Sequence, residues 1–187
     1  MVDPARILPF RSTAVLNDAA EPAVESARYK GGMRRLASGV SIVTTELGGV
    51  HYGMAATSVT SVSAEPPTLL VCIAKSASSH AAIRESGRFC VNVLGEADRD
   101  VADRFATEKD RSARFAGRNW TSLVTGAPAL PGCLASFDCV IAQELGAASH
   151  TVFFGRVVET RLWDAKISPL LFWDGAFREP LDPSFSI

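Results

Sequence analysis

The hydrophobic pattern of the chain consists of short apolar runs separated by glycine and proline. Six runs have the length and the β-branched or aromatic content of strands: residues 40–47, 51–59, 68–74, 89–94, 134–145 and 151–163. Gly48-Gly49, between the first two runs, is a hairpin signal. Residues 170–173 add a shorter seventh run. The run at 68–74 is apolar throughout, which predicts a central strand.

Helical periodicity is confined to three segments, which predicts helices at residues 28–38, about 79–86 and about 98–107. The apolar positions at helical spacing in the first are Tyr29, Met33, Leu36 and Ala37, and those of the third are Val101, Ala102 and Phe105. The polar, arginine-rich residues 108–119 are expected to form a loop with a short helical turn at about residues 112–115. Because helices and strands do not alternate, we expect a mainly β fold with helices, an antiparallel β-barrel with helices at its ends.

The composition is that of an ordinary globular protein, with 187 residues of which 47% are apolar and 21% charged. The formal net charge of -1 argues against a protein that binds duplex nucleic acid, which needs a basic surface. No apolar run approaches the roughly 18 residues of a membrane span. The N-terminus lacks the pattern of a signal peptide, so we expect a cytoplasmic protein.

Proline spacing divides the chain into an extension and one domain. Residues 1–27 contain Pro4, Pro9 and Pro22 and have weak periodicity, which is typical of a tail or of an arm lying on a partner subunit. The remaining residues, 28–187, are long enough for a single domain. We therefore predict an N-terminal extension at 1–27 followed by one domain at 28–187.

The cysteines and histidines do not form a metal-binding pattern. No pair among Cys72, Cys90, Cys133 and Cys139 has the C-x-x-C spacing of zinc or redox sites, which favours reduced, buried thiols. The three histidines are scattered along the chain. We expect no metal site.

Two hydroxyl-rich segments are the first candidates for ligand binding. The first is the run at residues 57–63. The second, residues 74–79, follows an apolar strand, opens a helix and contains Lys75, so its hydroxyls, backbone N–H groups and cation suit a phosphate. The alternative is that these serines only cap the helix and satisfy a turn. From the residues alone, both interpretations stay open.

His150 is a third candidate, because it follows Gly146 and precedes an apolar strand. It could orient a ligand at a strand end, or it could simply be satisfied by a carbonyl group. A serine hydrolase is disfavoured, since no G-x-S-x-G sequence is present. The aromatic residues Trp120, Phe153, Phe154, Trp163, Phe172, Trp173 and Phe177 are expected mainly in the core or at a subunit interface.

Taken in order, several stretches resemble the flavin reductase family, whose members have an FMN-binding split barrel and serve as reductase components of two-component flavin monooxygenases. The stretches are LASGVSIVTT (36–45), GMAATSVTSVSAEPPTLLVCIAKSASS (53–79), FCVNVL (89–94), RFA (104–106), GAPAL (126–130), SHTVFFGRV (149–157) and PLLFWDGAF (169–177). The resemblance runs from about Tyr29 to Phe177.

The resemblance implies roles for the residues at the matched positions. The implied flavin contacts are Thr57, Ser58, Ser61, Val62, Ser63, Cys72, Ala74, Lys75, Ser76, Ser78 and Ser79. The implied nicotinamide contacts are Gly53, Met54, Ala55 and His150, with the small residues at 53–56 leaving room for a stacked ring. Relatives often have Gly-Asp-His where this chain has Ala148-Ser149-His150, so the geometry of nucleotide binding is open here.

The resemblance also implies a reaction in which the protein supplies no nucleophile and no metal. Hydride passes from NADH or NADPH to FMN or FAD, and the protein binds and orients the two rings. By this resemblance the chain is expected to be an NAD(P)H:flavin oxidoreductase that delivers reduced flavin to a separate monooxygenase. Because most members of the family are homodimers, a homodimer is expected here as well. The alternative is a flavin-binding electron-transfer module on the same barrel, and an oxidase related to the pyridoxamine phosphate oxidases is disfavoured.

Overall fold

The computed structural model describes residues 22–107, 110–163 and 168–178. The helices are α1 (Ser26–Met33), α2 (His80–Ser86), α3 (Arg99–Thr107) and α4 (Arg111–Arg114), with a 3-10 turn at Glu96–Asp98. The strands are β1 (Ser38–Gly39), β2 (Ser41–Leu47), β3 (Val50–Ala56), β4 (Val59–Ala64), β5 (Pro67–Ala74), β6 (Arg88–Val93), β7 (Thr121–Ser122), β8 (Pro128–Ala129), β9 (Ala135–Ala147), β10 (His150–Leu162), β11 (Leu171–Trp173) and β12 (Ala176–Arg178). Most of the expected N-terminal arm lies outside the described residues.

Seven of these strands form one antiparallel sheet in the order β3-β2-β6-β9-β10-β5-β4. Its two edge strands, β3 and β4, are consecutive in the chain and are separated only by Thr57 and Ser58. In a flat sheet with strands about 4.8 Å apart, those edges would lie roughly 29 Å from each other. Three residue steps reach at most about 11 Å. The sheet therefore curls until its edges meet, which confirms the predicted antiparallel barrel.

The barrel interior is filled by the alternate, inward-facing residues of its strands. Its fully buried members include Val43, Val71, Ile73, Phe89, Val91, Cys139 and Phe153. On β10, the register shifts between Phe154 and Gly155, opposite β9. A Cβ atom at Gly155 would lie 2.5 Å from Cζ of Phe89 and 2.9 Å from Cβ of Cys139. Glycine at this position is therefore required by core packing.

A second apolar cluster lies outside the barrel, under α3. It joins Val101, Ala102 and Phe105 of this helix to Ile42 of β2 and to other buried residues. The rings of Phe105, Phe115 and Trp120 pack against one another with centroids 5.0 to 5.7 Å apart. The predicted apolar face of this helix is thus confirmed, and it anchors the chain on both sides of α4.

Asn92 of β6 ties the barrel wall to the segment that carries β8. Its Nδ2 donates to the carbonyl of Ile42 at 3.2 Å and to the carbonyl of Pro128 at 3.3 Å. Its Oδ1 accepts hydrogen bonds from the backbone N–H of Leu130 and from Oγ of Ser136, both at 2.8 Å. Since Asn92 is fully buried, this complete satisfaction offsets the cost of burying an amide.

Three predicted elements differ from the structure. The first helix begins at Ser26 and ends at Met33, and it has no buried residue, so its apolar spacing does not face a core of this chain. The predicted strand at 51–59 stops at Ala56, and the hydroxyl-rich run continues as the separate strand β4, which the pattern missed because both its faces are largely exposed. The strand predicted to be central, β5, is next to the edge.

Gly155→Ala tests the packing inside the barrel. We expect a loss of about 1–3 kcal/mol in the free energy of unfolding, because the added methyl group overlaps Phe89 and Cys139. Urea unfolding followed by tryptophan fluorescence measures the change. The matched control is Gly146→Ala on the neighbouring strand β9, where the nearest atom to an added Cβ is Nζ of Lys75 at 4.0 Å. Equal stability of the two variants would contradict the packing argument.

Candidate functional site

A cavity of about 760 Å³ opens where the two edges of the barrel meet. One wall is the β3–β4 corner with Thr57 and Ser58, and it continues along β5 with Leu70 and Cys72. The opposite wall comes from α1, from the segment that follows it and from the β11–β12 hairpin, and its residues are Lys30, Met33, Arg34, Leu36, Ala37, Ser38, Gly39, Phe172 and Asp174. Ligand pockets for organic molecules have volumes of about 300–1,000 Å³, so this cavity is of ligand-binding size.

Ser58 fixes the corner by pairing with Cys72 through both main chain and side chain. Its Oγ donates to the carbonyl of Cys72 at 2.9 Å, and its own carbonyl accepts the N–H of Cys72 at 3.4 Å. Thr57, one residue earlier, is exposed and lines the same cavity. Within the described part of the chain its hydroxyl has no hydrogen-bond partner. The corner therefore presents a polar group to the cavity on a backbone that is held in place.

Of the other hydroxyls of the predicted run, Thr60 lines the same cavity, whereas Ser61 and Ser63 face a different space. Ser61 and Ser63 of β4 line a second cavity of about 260 Å³, together with Pro67, Phe137 and Thr160 among others. Ser63 is also bonded to the backbone of Glu65. Val62 lies at the register shift between these two serines and is 48% exposed. The structure thus brings Thr57, Ser58 and Cys72 together and separates them from Ser61, Val62 and Ser63.

The outward face of β5 leads from the cavity to residues 75–79, which we call the 75–79 turn. Leu70, Cys72 and Ala74 alternate with the buried residues Val71 and Ile73, so they share this half-exposed face. On the adjacent strand β10, Val152 pairs with Cys72 and His150 pairs with Ala74. The face is therefore continuous from the cavity to His150.

The 75–79 turn places its polar side chains in different environments. Nζ of Lys75 donates to the carbonyl of Ala148 at 2.7 Å, and Ser76 is exposed. Ser78 lies 3.5 Å from Nη1 of Arg114. Ser79 precedes α2 but does not cap it, and its fully buried hydroxyl has no partner among the described residues. The interpretation of these serines as helix caps is not supported at Ser79.

The segment predicted to border a nicotinamide ring packs closely against its neighbours. Gly53 is buried, and a Cβ there would lie 2.6 Å from Cε1 of Phe105, so its small size is required by packing under α3. Met54 packs on the barrel core and Ala55 on the second cluster. The reason given for these small residues, space for a stacked ring, is wrong at Gly53, because aromatic side chains occupy that space.

His150 is exposed at the first position of β10. Its Nδ1 lies 2.9 Å from Oγ of Ser149. Ala148 and Ser149 form a two-residue hairpin turn, in which Ala148 has a positive φ of 46°. Within the described residues no carboxylate is bonded to the imidazole, so the serine–histidine pair lacks the third member of a hydrolytic triad.

Arg114 is the main polar residue that the sequence pattern missed. Its Nη1 donates to the carbonyl of Gly53 at 3.0 Å, so its guanidinium bridges β3 and the 75–79 turn. The signal in the sequence was the pair of aromatic residues, Phe115 and Trp120, inside a segment otherwise read as a polar loop. These rings anchor the segment on α3 and thereby position Arg114. The α1 wall of the cavity was missed as well.

Burial shifts the pKa of a histidine beside the 75–79 turn and of two core thiols. Burial lowers the pKa of His80, and Arg84 lowers it further, so the imidazole beside the turn is neutral at pH 7. Its Nε2 lies 2.9 Å from Oγ1 of Thr151. Burial raises the pKa of the Cys133 thiol to about 11 and that of Cys139 to about 12. These thiols are therefore uncharged in the core.

Three further features of the described residues concern metal ligands, long helices and cysteines. No group of three histidine, cysteine, aspartate or glutamate side chains among them is arranged to hold a metal ion. The helices described here include none that is long and apolar enough to cross a membrane. The four cysteines are free thiols, of which only Cys72 is more than marginally exposed.

Comparison with known proteins adds a family to this geometry. The model of the flavin reductase like domain matches residues 33–180. The FMN reductase (NADH) RutF 1 of Methylorubrum extorquens (strain PA1) is 41% identical over 160 residues, which cover 86% of this chain and 79% of that protein.

Two solved structures have the same fold. BorF, the flavin reductase component of a bacterial two-component tryptophan halogenase, is 33% identical with a TM-score of 0.77, and the match covers 84% of this chain and 99% of BorF. The Streptomyces globisporus C-1027 NADH:FAD oxidoreductase SgcE6, in complex with NAD and FAD fragments, is 29% identical with a TM-score of 0.79, covering 89% of this chain and 100% of SgcE6.

Proposed function

Because the chain belongs to the flavin reductase family, we propose that it transfers hydride from NADH to a flavin. The observation that carries this proposal is the cavity of about 760 Å³ at the junction of the barrel edges. The hydroxyl-bearing corner lies on one side of it, and the wall on the other side combines apolar surface with charged side chains. A planar ring with a polar rim suits such a cavity. The names of the relatives, an FMN reductase (NADH) and an NADH:FAD oxidoreductase, support the same reaction.

The residues that line the cavity fit a bound flavin. Leu70 and Phe172 offer apolar surface to a ring, while Thr57 offers a hydroxyl without an internal partner. Cys72 continues this wall along β5, and Ala74, Ser76, Ser78 and Ser79 extend it toward a terminal phosphate. For Lys75 the flavin contact stays a prediction, since its Nζ is bonded to the carbonyl of Ala148. For Ser61, Val62 and Ser63 the flavin contact stays a prediction, since the two serines line the second cavity.

A flavin held here accepts the hydride when the reduced nicotinamide lies against its ring. The protein's part is to bind and orient both nucleotides and to exclude other acceptors. We propose that His150 meets the nicotinamide nucleotide, because it lies on the same continuous face as Cys72. Gly53, Met54 and Ala55 border this region from β3, and the Gly53 carbonyl is already bonded to Arg114. No side chain of the chain needs to act as a nucleophile.

A second subunit completes the site in this proposal. Helix α1 forms one wall of the cavity yet has no buried residue, and isolated helices of eight residues are unstable in water. Tyr29, Met33 and Leu36 are 58%, 47% and 60% exposed, and Trp173 nearby in the β11–β12 hairpin is 43% exposed. A homodimer that covers these side chains would support the helix and close the cavity.

Reduced flavin leaving this protein would serve a separate oxygenase component. The support is the name of BorF, a reductase component of a two-component halogenase. We place the enzyme in the cytoplasm, where a reducing environment keeps free thiols such as those of the four cysteines reduced.

The direct test is oxidation of NADH by the purified protein, followed at 340 nm under excess FMN, FAD or no flavin. We expect NADH oxidation that depends on added flavin and is faster with NADH than with NADPH. A yellow protein that binds flavin stoichiometrically but does not react with either nucleotide would contradict the proposal. It would favour the electron-transfer module instead.

The role of His150 is tested by His150→Ala. We expect the KM for NADH to rise about 3- to 10-fold, because one hydrogen bond to the nucleotide is lost, while kcat and the KM for FMN change little. Steady-state kinetics with each nucleotide varied in turn measures both constants. Unchanged constants for NADH would remove His150 from the site.

The dimer is tested by a pair of charge substitutions on the exposed wall. We expect Met33→Glu with Leu36→Glu to convert a dimer into a monomer in analytical ultracentrifugation and to weaken flavin binding, since a carboxylate is costly to bury in an interface. The control is Val124→Glu, at a residue that is 68% exposed and distant in sequence from α1. A wild-type protein that sediments as a monomer at micromolar concentration would contradict the dimer.

A further inference from the structure

Two cations flank the 75–79 turn, and they come from different elements. Lys75 belongs to the turn itself, whereas Arg114 reaches it from the end of α4. Both are candidates for a nucleotide phosphate, because an anion at a turn of serines needs a positive partner. Their contacts differ, and the difference assigns them separate tasks.

Lys75 holds the β9–β10 hairpin. Its backbone N–H donates to the carbonyl of Ser149 at 2.9 Å, and its Nζ donates to the carbonyl of Ala148 at 2.7 Å. Ala148 has a positive φ, a conformation that a residue with a Cβ adopts at some cost. The two bonds from Lys75 hold the carbonyls of both turn residues, Ala148 and Ser149. They thereby fix the start of β10, where His150 lies.

Arg114 faces the serines and β3. Its Nη1 lies 3.0 Å from the carbonyl of Gly53 and 3.5 Å from Oγ of Ser78. The next residue, Phe115, is packed between Phe105 and Trp120 and also against His51 at 5.3 Å, so the backbone that carries Arg114 is held firmly. A guanidinium presents five donors in a planar fork, which matches the oxygens of a phosphate better than an ammonium does.

We propose that Arg114, together with Ser78, binds a phosphate group of the nucleotide that occupies the 75–79 turn, and that Lys75 is a positioning residue for His150. This inference rests on the proposed function, because it requires two nucleotide substrates. The phosphate belongs either to the flavin or to the nicotinamide nucleotide. The chemistry of recognition is the same in both cases, and the choice of substrates in the test separates them.

The experiment compares substrates with and without phosphate. FMN is paired with riboflavin, and NADH with 1-benzyl-1,4-dihydronicotinamide, which has the reactive ring but no phosphate. KM and kcat are measured for wild type, Arg114→Met, Arg114→Lys and Lys75→Met. Arg84→Met is the matched control, because Arg84 is another cation near the turn but is exposed and paired with Glu144. Thermal unfolding verifies that each variant is folded. If Arg114→Met does not fold, Arg114→Lys still tests the role of the guanidinium.

We expect Arg114→Met to raise the KM for one phosphorylated substrate by about 10- to 100-fold while its phosphate-free partner changes less than about 3-fold. A loss of preference for FMN over riboflavin assigns the phosphate to the flavin. A loss of preference for NADH over the benzyl compound assigns it to the nicotinamide nucleotide. Arg114→Lys should recover part of the preference. Lys75→Met should keep both the FMN preference and kcat near wild type but raise the KM for NADH about 3- to 10-fold, as a displaced His150 would.

Two results would overturn the inference while leaving the function intact. In the first, an active wild type prefers the phosphorylated substrates, and Arg114→Met keeps both preferences. In the second, Lys75→Met removes the preference that Arg114→Met was expected to remove. A wild type without flavin-dependent NADH oxidation would instead contradict the proposed function itself, so the two failures are distinguishable.

Discussion

The two-residue link between opposite edges of the seven-stranded sheet is the constraint on which the rest of the structure depends. Because Thr57 and Ser58 must join β3 to β4, the sheet has to close, and closure creates an interior that Phe89 and Phe153 fill. The corner itself cannot continue the hydrogen-bond ladder between the two edges. Ser58 satisfies part of this missing hydrogen bonding by pairing with Cys72, whereas the hydroxyl of Thr57 has no partner among the described residues and lines the cavity of about 760 Å³. The cavity that we propose as the binding site is thus a consequence of how the barrel closes.

The same closure explains why apolar packing is distributed over two clusters. Strands β2 and β3 have one face in the barrel and the other under α3, so both faces of each strand are covered in this region. Gly53 is needed because Phe105 approaches the backbone of β3 closely, and Asn92 is needed because the β8 segment has carbonyl and N–H groups that no strand satisfies. At the end of α4, Arg114 joins the carbonyl of this same Gly53 to Ser78 of the 75–79 turn.

The pattern of apolar and polar residues was sufficient for the elements that bury one face. The hairpin at Gly48-Gly49, the strands β6, β9 and β10, and the face of α3 all follow from it, and so does the barrel. It failed where burial does not alternate: β4 is an exposed edge, and α1 has apolar residues that no part of this chain covers. Pairing across the sheet also cannot be read from a pattern, so β5 was placed at the centre when it lies next to the edge.

The same distinction applies to the candidate site residues: some are visible in the local sequence, and others depend on contacts between distant segments. Local sequence proposed the corner, the turn and His150 as candidates, because hydroxyls and glycines near strand ends are visible in the chain itself. Which cation serves which group depends on contacts between distant segments: Lys75 reaches Ala148, 73 positions later, and Arg114 reaches Gly53, 61 positions earlier. A lysine inside a serine-rich turn indicates an anion site only if its ammonium is not already committed to a carbonyl. Here the fold joins the ammonium of Lys75 to the carbonyl of Ala148. Arg114 is also bonded to a carbonyl, that of Gly53, but its Nη1 lies 3.5 Å from Oγ of Ser78, and this proximity to the serines is the reason for assigning the phosphate to the arginine.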